Sequence, residues 1–309
     1  MSEQQKSPHP YQGRKAALAT KHQKERVFSQ PLRAAVGLEV FVPDDLDTDL
    51  LGTFSGEIER QGTPQEVALR KARLGMKAAG VTLGLASEGS FGPDPRLLFV
   101  PADHEILVFV DDELGIEVVE QILSSKTNFA HIKARMYEDL KDFLVRSRFP
   151  SHGLIVRPNS GVQSGLLHRG ITRFVRPNSG LQLGPLFKGI TKVEVLKEAL
   201  ERCSSASADG FAHVETDMRA HMNPTRQQVL LEVAVGLGRR LATLCPECRT
   251  PGWGLVDVVR GLPCEWCGGE TELVRAEIHG CPRCEYRESY PRSDGLRVAS
   301  SGNCPRCNP

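Results

Sequence analysis

Before residue 245 this chain of 309 residues holds a single cysteine, Cys203, and from residue 245 onward it holds no lysine. No apolar run approaches the roughly 20 residues that a membrane-spanning helix needs, so no membrane is expected as a partner. The polar opening MSEQQKSPHPYQGRK lacks the apolar core of a secretion signal, and the expected location is cytoplasmic. An excess of one charge is missing too. A net +1 gives no global field drawing the chain to nucleic acid or to an anionic surface. What is present is an ordinary globular composition, 40% hydrophobic and 25% charged, in a length that supports one large or two modest domains.

Pattern and turn residues divide the chain into a disordered lead-in over 1–14, an α/β domain over 15–243 and a cysteine-rich module over 244–309. KAALAT (15–20), LEVFVP (38–43), VTLGLAS (81–87) and EILVFVDD (105–112) read as strands. TPQEVALRKARLGMKAAG (63–80) reads as a helix with Thr63 as cap, Pro64 at its first position, Glu66 closing a capping box and Gly80 as the stop. Helices are also expected over GIEVVEQILS (115–124), NFAHIKARMYEDLKDFLVRSRF (128–149), TKVEVLKEALERCS (191–204) and PTRQQVLLEVAVGLGRRLATL (224–244), the last capped by Asn223. GFAHVETDMRAHM (210–222) is expected as a strand. On it Glu215, Asp217, Arg219 and His221 alternate with Val214, Thr216, Met218 and Ala220, so one face is polar. Strands alternating with helices predict an α/β fold, a mixed sheet flanked by helices.

An internal repeat interrupts this alternation. VRPNSGVQSGLLHRGIT (156–172) recurs as VRPNSGLQLGPLFKGIT (175–191), with 12 of 17 positions identical. One duplicate pair is too little for a solenoid. Over 156–191 it reads as a tandem duplication in a surface loop, which costs little closure entropy. Arg157, Arg176 and Lys188 are then solvated loop residues rather than phosphate contacts. Cys203, at a helix end, reads as a buried thiol.

The other eight cysteines form four CxxC pairs, Cys245/Cys248, Cys264/Cys267, Cys281/Cys284 and Cys304/Cys307, separated by 15, 13 and 19 residues. Each pair puts two thiolates on one side of a tight turn, and two pairs complete a tetrahedral structural zinc site. Four pairs therefore predict two structural zinc ions in a small double zinc-ribbon-like module. CEWCGGETELVRAEIHGCPRC has the form of a complete ribbon, which favours an inner site from Cys264, Cys267, Cys281 and Cys284; sequential and cross-braced pairings remain open. Eight Arg against nine Asp plus Glu leave this module at −1. Two tetrathiolate centres take it to about −5, which speaks against nucleic acid as a partner. Trp253, Trp266, Tyr286 and Tyr290 are expected to form its core.

Three polar clusters sit at expected strand ends: ATKHQKE (19–25), SGEIERQGTPQE (55–66) and ASEGSFG (86–92). Such loops are where α/β sheets bind ligands, and glycine there admits a phosphate close to the backbone. With TNFAH, VETDMRAHMNPTR and the four CxxC pairs, the whole chain resembles a bacterial family known only as a domain of unknown function. Residues 15 to about 110 also resemble the inosine/xanthosine triphosphate pyrophosphatases, whose A-T-x-N-x-x-K loop, E-x-G-x-T helix and acid–glycine loop have counterparts in the three clusters. His22 stands where that family has asparagine, and Lys24 comes one residue early.

The second resemblance implies roles. Thr20, Lys24 and Lys71 would hold phosphates, and Glu59 and Glu88 would bind Mg²⁺ or Mn²⁺ and position water. Arg226 and His221 would meet the substrate at the helix mouth after the last strand, with Asp217 or Glu215 orienting them or sharing the metal. The expected function is a metal-dependent nucleotide phosphohydrolase acting on a nucleotide or other phosphorylated small molecule. The alternative is a non-enzymatic ligand-binding or adaptor protein whose zinc module docks a protein partner.

Overall fold

Short apolar strands and capped helices build three sheets. A computed structural model describes residues 9–44, 62–95, 97–159 and 185–308. The first sheet runs β2-β1-β3-β4-β5, from β1 (Lys15–Ala19), β2 (Glu39–Phe41), β3 (Leu83–Pro93), β4 (Pro101–Asp111) and β5 (Ile116–Ser124). β1 is parallel to β2 and β3, while β4 and β5 continue antiparallel, so the sheet is mixed as expected. Alternate residues separate its two faces. Leu18, Leu85 and Phe109 face α1 (Glu25–Val36) and α5 (Pro224–Ala242), packing against Phe28, Leu32, Leu230 and Leu237. Ala19, Ala86 and Val108 face α2 (Pro64–Ala79), packing against Ala68, Ala72 and Met76.

The α2 cap is the one the residues prescribe. Thr63 Oγ1 accepts the Glu66 amide at 3.3 Å, Glu66 Oε2 accepts the Thr63 amide at 2.7 Å, and Gly80 ends the helix at φ +63°. α1, a helix not expected from the sequence, contains Pro31, which cannot donate to the preceding turn. The apolar Phe28, Leu32 and Val36 hold it in place nonetheless.

The second sheet runs β6-β9-β7-β8, from β6 (His131–Ala134), β7 (Leu154–Pro158), β8 (Phe187–Ile190) and β9 (Ala212–Thr216), all antiparallel. α3 (Lys141–Ser147) and α4 (Val193–Ser205) cover one face through Phe143, Leu154, Val156, Leu196, Leu200 and Val214. Cys203 lies in this core, where burial pushes its thiol up to about 11 and Sγ donates to the Pro185 carbonyl.

Four expectations are corrected. GIEVVEQILS is β5, not a helix: Asp111 Oδ1 accepts the Glu113 and Leu114 amides, Gly115 turns at φ +66°, and the β-branched Ile116, Val118, Val119 and Ile122 suit the pleat. The 128–149 helix is instead β6 followed by α3, because Asp139 accepts the Arg135 and Met136 amides and starts a new element there. β9 stops at Thr216 rather than Met222, since the Asp217 carboxylate takes the Arg219 amide and turns the chain. The repeat is not wholly loop. The start of its first copy lies in β7 and the end of its second is β8, and the two strands pair; residues 160–184, including Arg176, lie outside the described residues.

The third sheet, β10 (Gly254–Arg260), β11 (Val274–Gly280) and β12 (Arg287–Pro291), frames the cysteine module. Trp253 stacks on Tyr286 at 5.4 Å, and His279 lies 4.7 Å from Tyr290, but of the four rings expected to form a core only Trp253 is buried, Tyr286 being exposed and Tyr290 half-buried. Trp266 joins none of these contacts and is 78% exposed. Arg240 of α5 ties the module to the first sheet, donating to the carbonyls of Gly252 and Val119. Among the described residues no helix is long and apolar enough to cross a membrane.

Candidate active site and metal centres

β1 and β3 are parallel, with Ala19 opposite Ala86, so the loop after β1 emerges beside Ser87 and Glu88. Thr20 Oγ1 accepts the His22 amide at 3.2 Å, shaping that loop. Lys24, at the start of α1, then turns inward. Its Nζ donates to Ser87 Oγ at 2.8 Å and to the Ser87 carbonyl at 3.3 Å. From α2, Lys71 donates to Glu88 Oε1 at 2.6 Å. From the first turn of α5, Arg226 donates Nε to Glu105 Oε1 at 2.6 Å and Nη1 to the Met218 carbonyl at 2.5 Å. Asn223 caps that helix by accepting the Arg226 amide. A Cβ on Gly89 would press into both Arg226 and Glu105, so a glycine is needed where the two side chains cross β3.

Six charged side chains are thereby buried together: Lys24, Lys71 and Arg226 with Glu88, Asp103 and Glu105. Asp103 and Glu105 alternate on one face of β4 and are fully buried. Neither oxygen of Asp103, nor Glu105 Oε2, has a hydrogen-bond donor beyond the proton the two acids share. Burial, then the Glu105 charge, pushes Asp103 up to about 8. Burial, then Arg226, lowers Lys24 to about 8, with Glu105 and Glu88 opposing. At neutral pH, with Asp103 protonated, the six groups carry about +1. His22 and His221 lie beside the cluster, 5.4 Å apart. Burial lowers His22 to about 4, followed by the charges of Lys24, His221, Arg219 and Arg226, so the local field is positive.

Lys24, Lys71, Glu88, Arg226 and His221 thus occupy one neighbourhood, with Thr20 at its edge. Glu59 lies outside the described residues. Asp217 is fully buried and committed: it holds Arg219 through Nε at 2.9 Å and Nη2 at 2.6 Å and accepts the Gly189 amide at 3.0 Å. It positions Arg219 against His22 and His221. Glu215 instead holds Arg157 and His213. Asp103 and Glu105 were missed in the sequence reading. Their signal was two acids at i and i+2 entering the strand ADHEILVFV, where an apolar face was expected.

The eight module cysteines form two groups, Cys245, Cys248, Cys281 and Cys284, and Cys264, Cys267, Cys304 and Cys307, each with its sulfurs within 4.8 Å of one another. First pairs with third and second with fourth, a cross-brace, so the inner-ribbon pairing is corrected. Sγ–Sγ distances of 3.8 Å (Cys245–Cys284), 3.5 Å (Cys248–Cys281), 3.9 Å (Cys264–Cys307) and 3.6 Å (Cys267–Cys304) are far beyond a disulfide bond. They fit a tetrahedral metal with bonds of about 2.3 Å, whose sulfurs lie about 3.8 Å apart. Backbone amides of Trp266, Gly269 and Arg283 point at the sulfurs, as thiolates require. Among the described residues no other group of three or more His, Cys, Asp or Glu converges in this way.

No curated protein and no solved structure matches the chain. A family described as Domain of unknown function (DUF6671) matches residues 71–309, a span that holds Lys71, Glu88, Asp103, Glu105, Arg226 and all eight module cysteines. The chain belongs to the DUF6671 family.

Proposed function

We propose that this protein is a divalent-metal-dependent phosphohydrolase of nucleotide type, carrying two structural zinc ions in its C-terminal module. One observation supports it above the rest: Lys24, Lys71 and Arg226 are buried with three acids where the parallel strands end and the α5 N-terminus opens. Burying five charges beside a protonated acid costs several kcal/mol per ion, which a fold without use for them avoids by apolar packing. In this reading the ion pairs stand in for a substrate. An arriving phosphate takes Lys71 from Glu88, and the freed carboxylate orients water. Lys24 and Arg226 balance the charge that develops on the phosphoryl oxygens, and His221 donates to one of them. Glu88 and Glu59 would be the hard ligands for Mg²⁺ or Mn²⁺. When bound, such a cation neutralises phosphate charge and lowers the pKa of water.

The test is a panel of nucleoside triphosphates with Mg²⁺ or Mn²⁺, read as released pyrophosphate or phosphate. Turnover that Glu88→Gln removes supports the proposal. No turnover above the background of the Glu59→Gln/Glu88→Gln protein ends it. The adaptor alternative draws on the exposed Trp266 indole in the second knuckle, and takes over in that event.

A further inference from the structure

A row of rings runs from Phe91 of β3 in the first sheet, through Phe129 ahead of β6, to His131 and His213 on the second sheet. The Arg226 guanidinium lies 5.1 Å from the Phe91 ring. Phe91 lies 5.8 Å from Phe129, and Phe129 lies 6.5 Å from His131, edge to face. His131 stacks on His213 at 5.3 Å and 25°. The row ends at Glu215, which accepts Arg157 Nη2 at 3.1 Å and sits 3.3 Å from His213 Nε2. Phe91 and Phe129 are only half-buried and belong to none of the three hydrophobic clusters, although full burial is what makes a large ring stabilising. One end of the row touches the buried cationic cluster, and the other presents a carboxylate and a guanidinium.

We propose that this row is the subsite for a planar heteroaromatic base carried by the ligand, whose phosphates sit at Lys24, Lys71 and Arg226. The base stacks along Phe129, His131 and His213, and its edge meets Glu215 and Arg157. The chemistry suits it. Aromatic faces accept any base by stacking, while a carboxylate and a guanidinium together read donors and acceptors on a ring edge. Burial, then His213, lowers His131, with Glu215 opposing, so this ring is uncharged at neutral pH and offers a plain π face. The inference rests on the phosphohydrolase reading for the location of the phosphates.

The test is calorimetric binding to the full-length, metal-loaded protein with Mg²⁺. The probes are inorganic tripolyphosphate and the α,β-methylene triphosphates of adenosine, guanosine, cytidine, uridine and inosine. At least one nucleoside analogue is expected to bind about tenfold or more tightly than tripolyphosphate, the scale of one base–aromatic stacking contact. Phe129→Ala and His213→Ala should each remove most of that preference and leave tripolyphosphate binding unchanged. Phe129→Leu, which keeps the apolar bulk and loses the π face, should do the same without a folding defect. Arg157→Met should alter the ranking of the bases alone. Equal binding of tripolyphosphate and every analogue, or a preference indifferent to these variants, overturns the base subsite and leaves the phosphate site standing. Failure of tripolyphosphate and all analogues to bind overturns both.

Discussion

Arg226→Met tests whether the buried cluster is what its geometry implies. The guanidinium is 1% exposed and its Nε lies 2.6 Å from Glu105, which has no exposure at all. Losing it leaves a carboxylate buried without its cation, together with a Met218 carbonyl without its donor. Breaking such a pair costs about 3–5 kcal/mol, a large part of the roughly 5–15 kcal/mol that a domain has. The double variant Arg226→Met/Glu105→Leu should recover most of the loss, because apolar side chains of similar volume replace a buried ion pair at little net cost. The loss in the single variant should also shrink at pH 5, where the orphaned acids take up protons more readily. The assay is urea unfolding followed by far-ultraviolet circular dichroism. Tryptophan fluorescence would watch the wrong part, since Trp253 and Trp266 both lie in the cysteine module. A single-variant loss below about 1 kcal/mol, the scale of a solvated surface pair, would refute the reasoning. So would a double variant no more stable than the single one.

Asp103 is raised from its ordinary 3.8 to about 8, so its favourable contribution is complete at low pH and is lost as pH rises towards 8. The lowered histidines act below about 6.5 and Lys24 above about 8. Stability should therefore fall between pH 6.5 and 8, by at most about 1.4 kcal/mol per pH unit, and Asp103→Asn should flatten that slope in chemical-denaturation curves. Metal counting by mass spectrometry should separate the cysteine pairings. Cys264→Ser with Cys304→Ser removes one metal, whereas Cys264→Ser with Cys281→Ser removes both; an inner ribbon would give the reverse. Deleting residues 160–178, one copy of the repeat, should leave the β7–β8 pairing and the melting temperature nearly unchanged, because cutting the connection between the two strands to about a third of its length alters closure entropy by only about 1 kcal/mol.

The elements legible in the sequence were those whose signals are local. Thr63, Glu66 and Gly80 bracket α2 without help from the rest of the chain, and Asn223 with Pro224 does the same for α5. β5 was misread because its apolar residues satisfy a helical spacing as well as a strand, and what decides is the β4 edge waiting for it. Motif resemblance singles out the lysines and Glu88, but not Asp103 and Glu105, which the structure buries beside them. An acid in an apolar strand is ambiguous until the arginine that meets it, 121 positions away along the chain for Glu105, is placed. The same holds for the metal groups. CxxC spacing identifies the ligands, while the choice among pairings depends on how β10, β11 and β12 pair.

The interleaved cysteines also impose an order on synthesis. The first cysteine group can close on a metal only once Cys284 has left the ribosome, which would place the second knuckle, Cys264 and Cys267, inside a loop already fastened. That knuckle waits with half a coordination sphere until Cys304 and Cys307 emerge. A chain interrupted between residues 285 and 303 would therefore carry one finished clasp and one open pair of thiols. Those thiols would be reactive in a way the completed protein is not, and such a fragment would be marked chemically as unfinished.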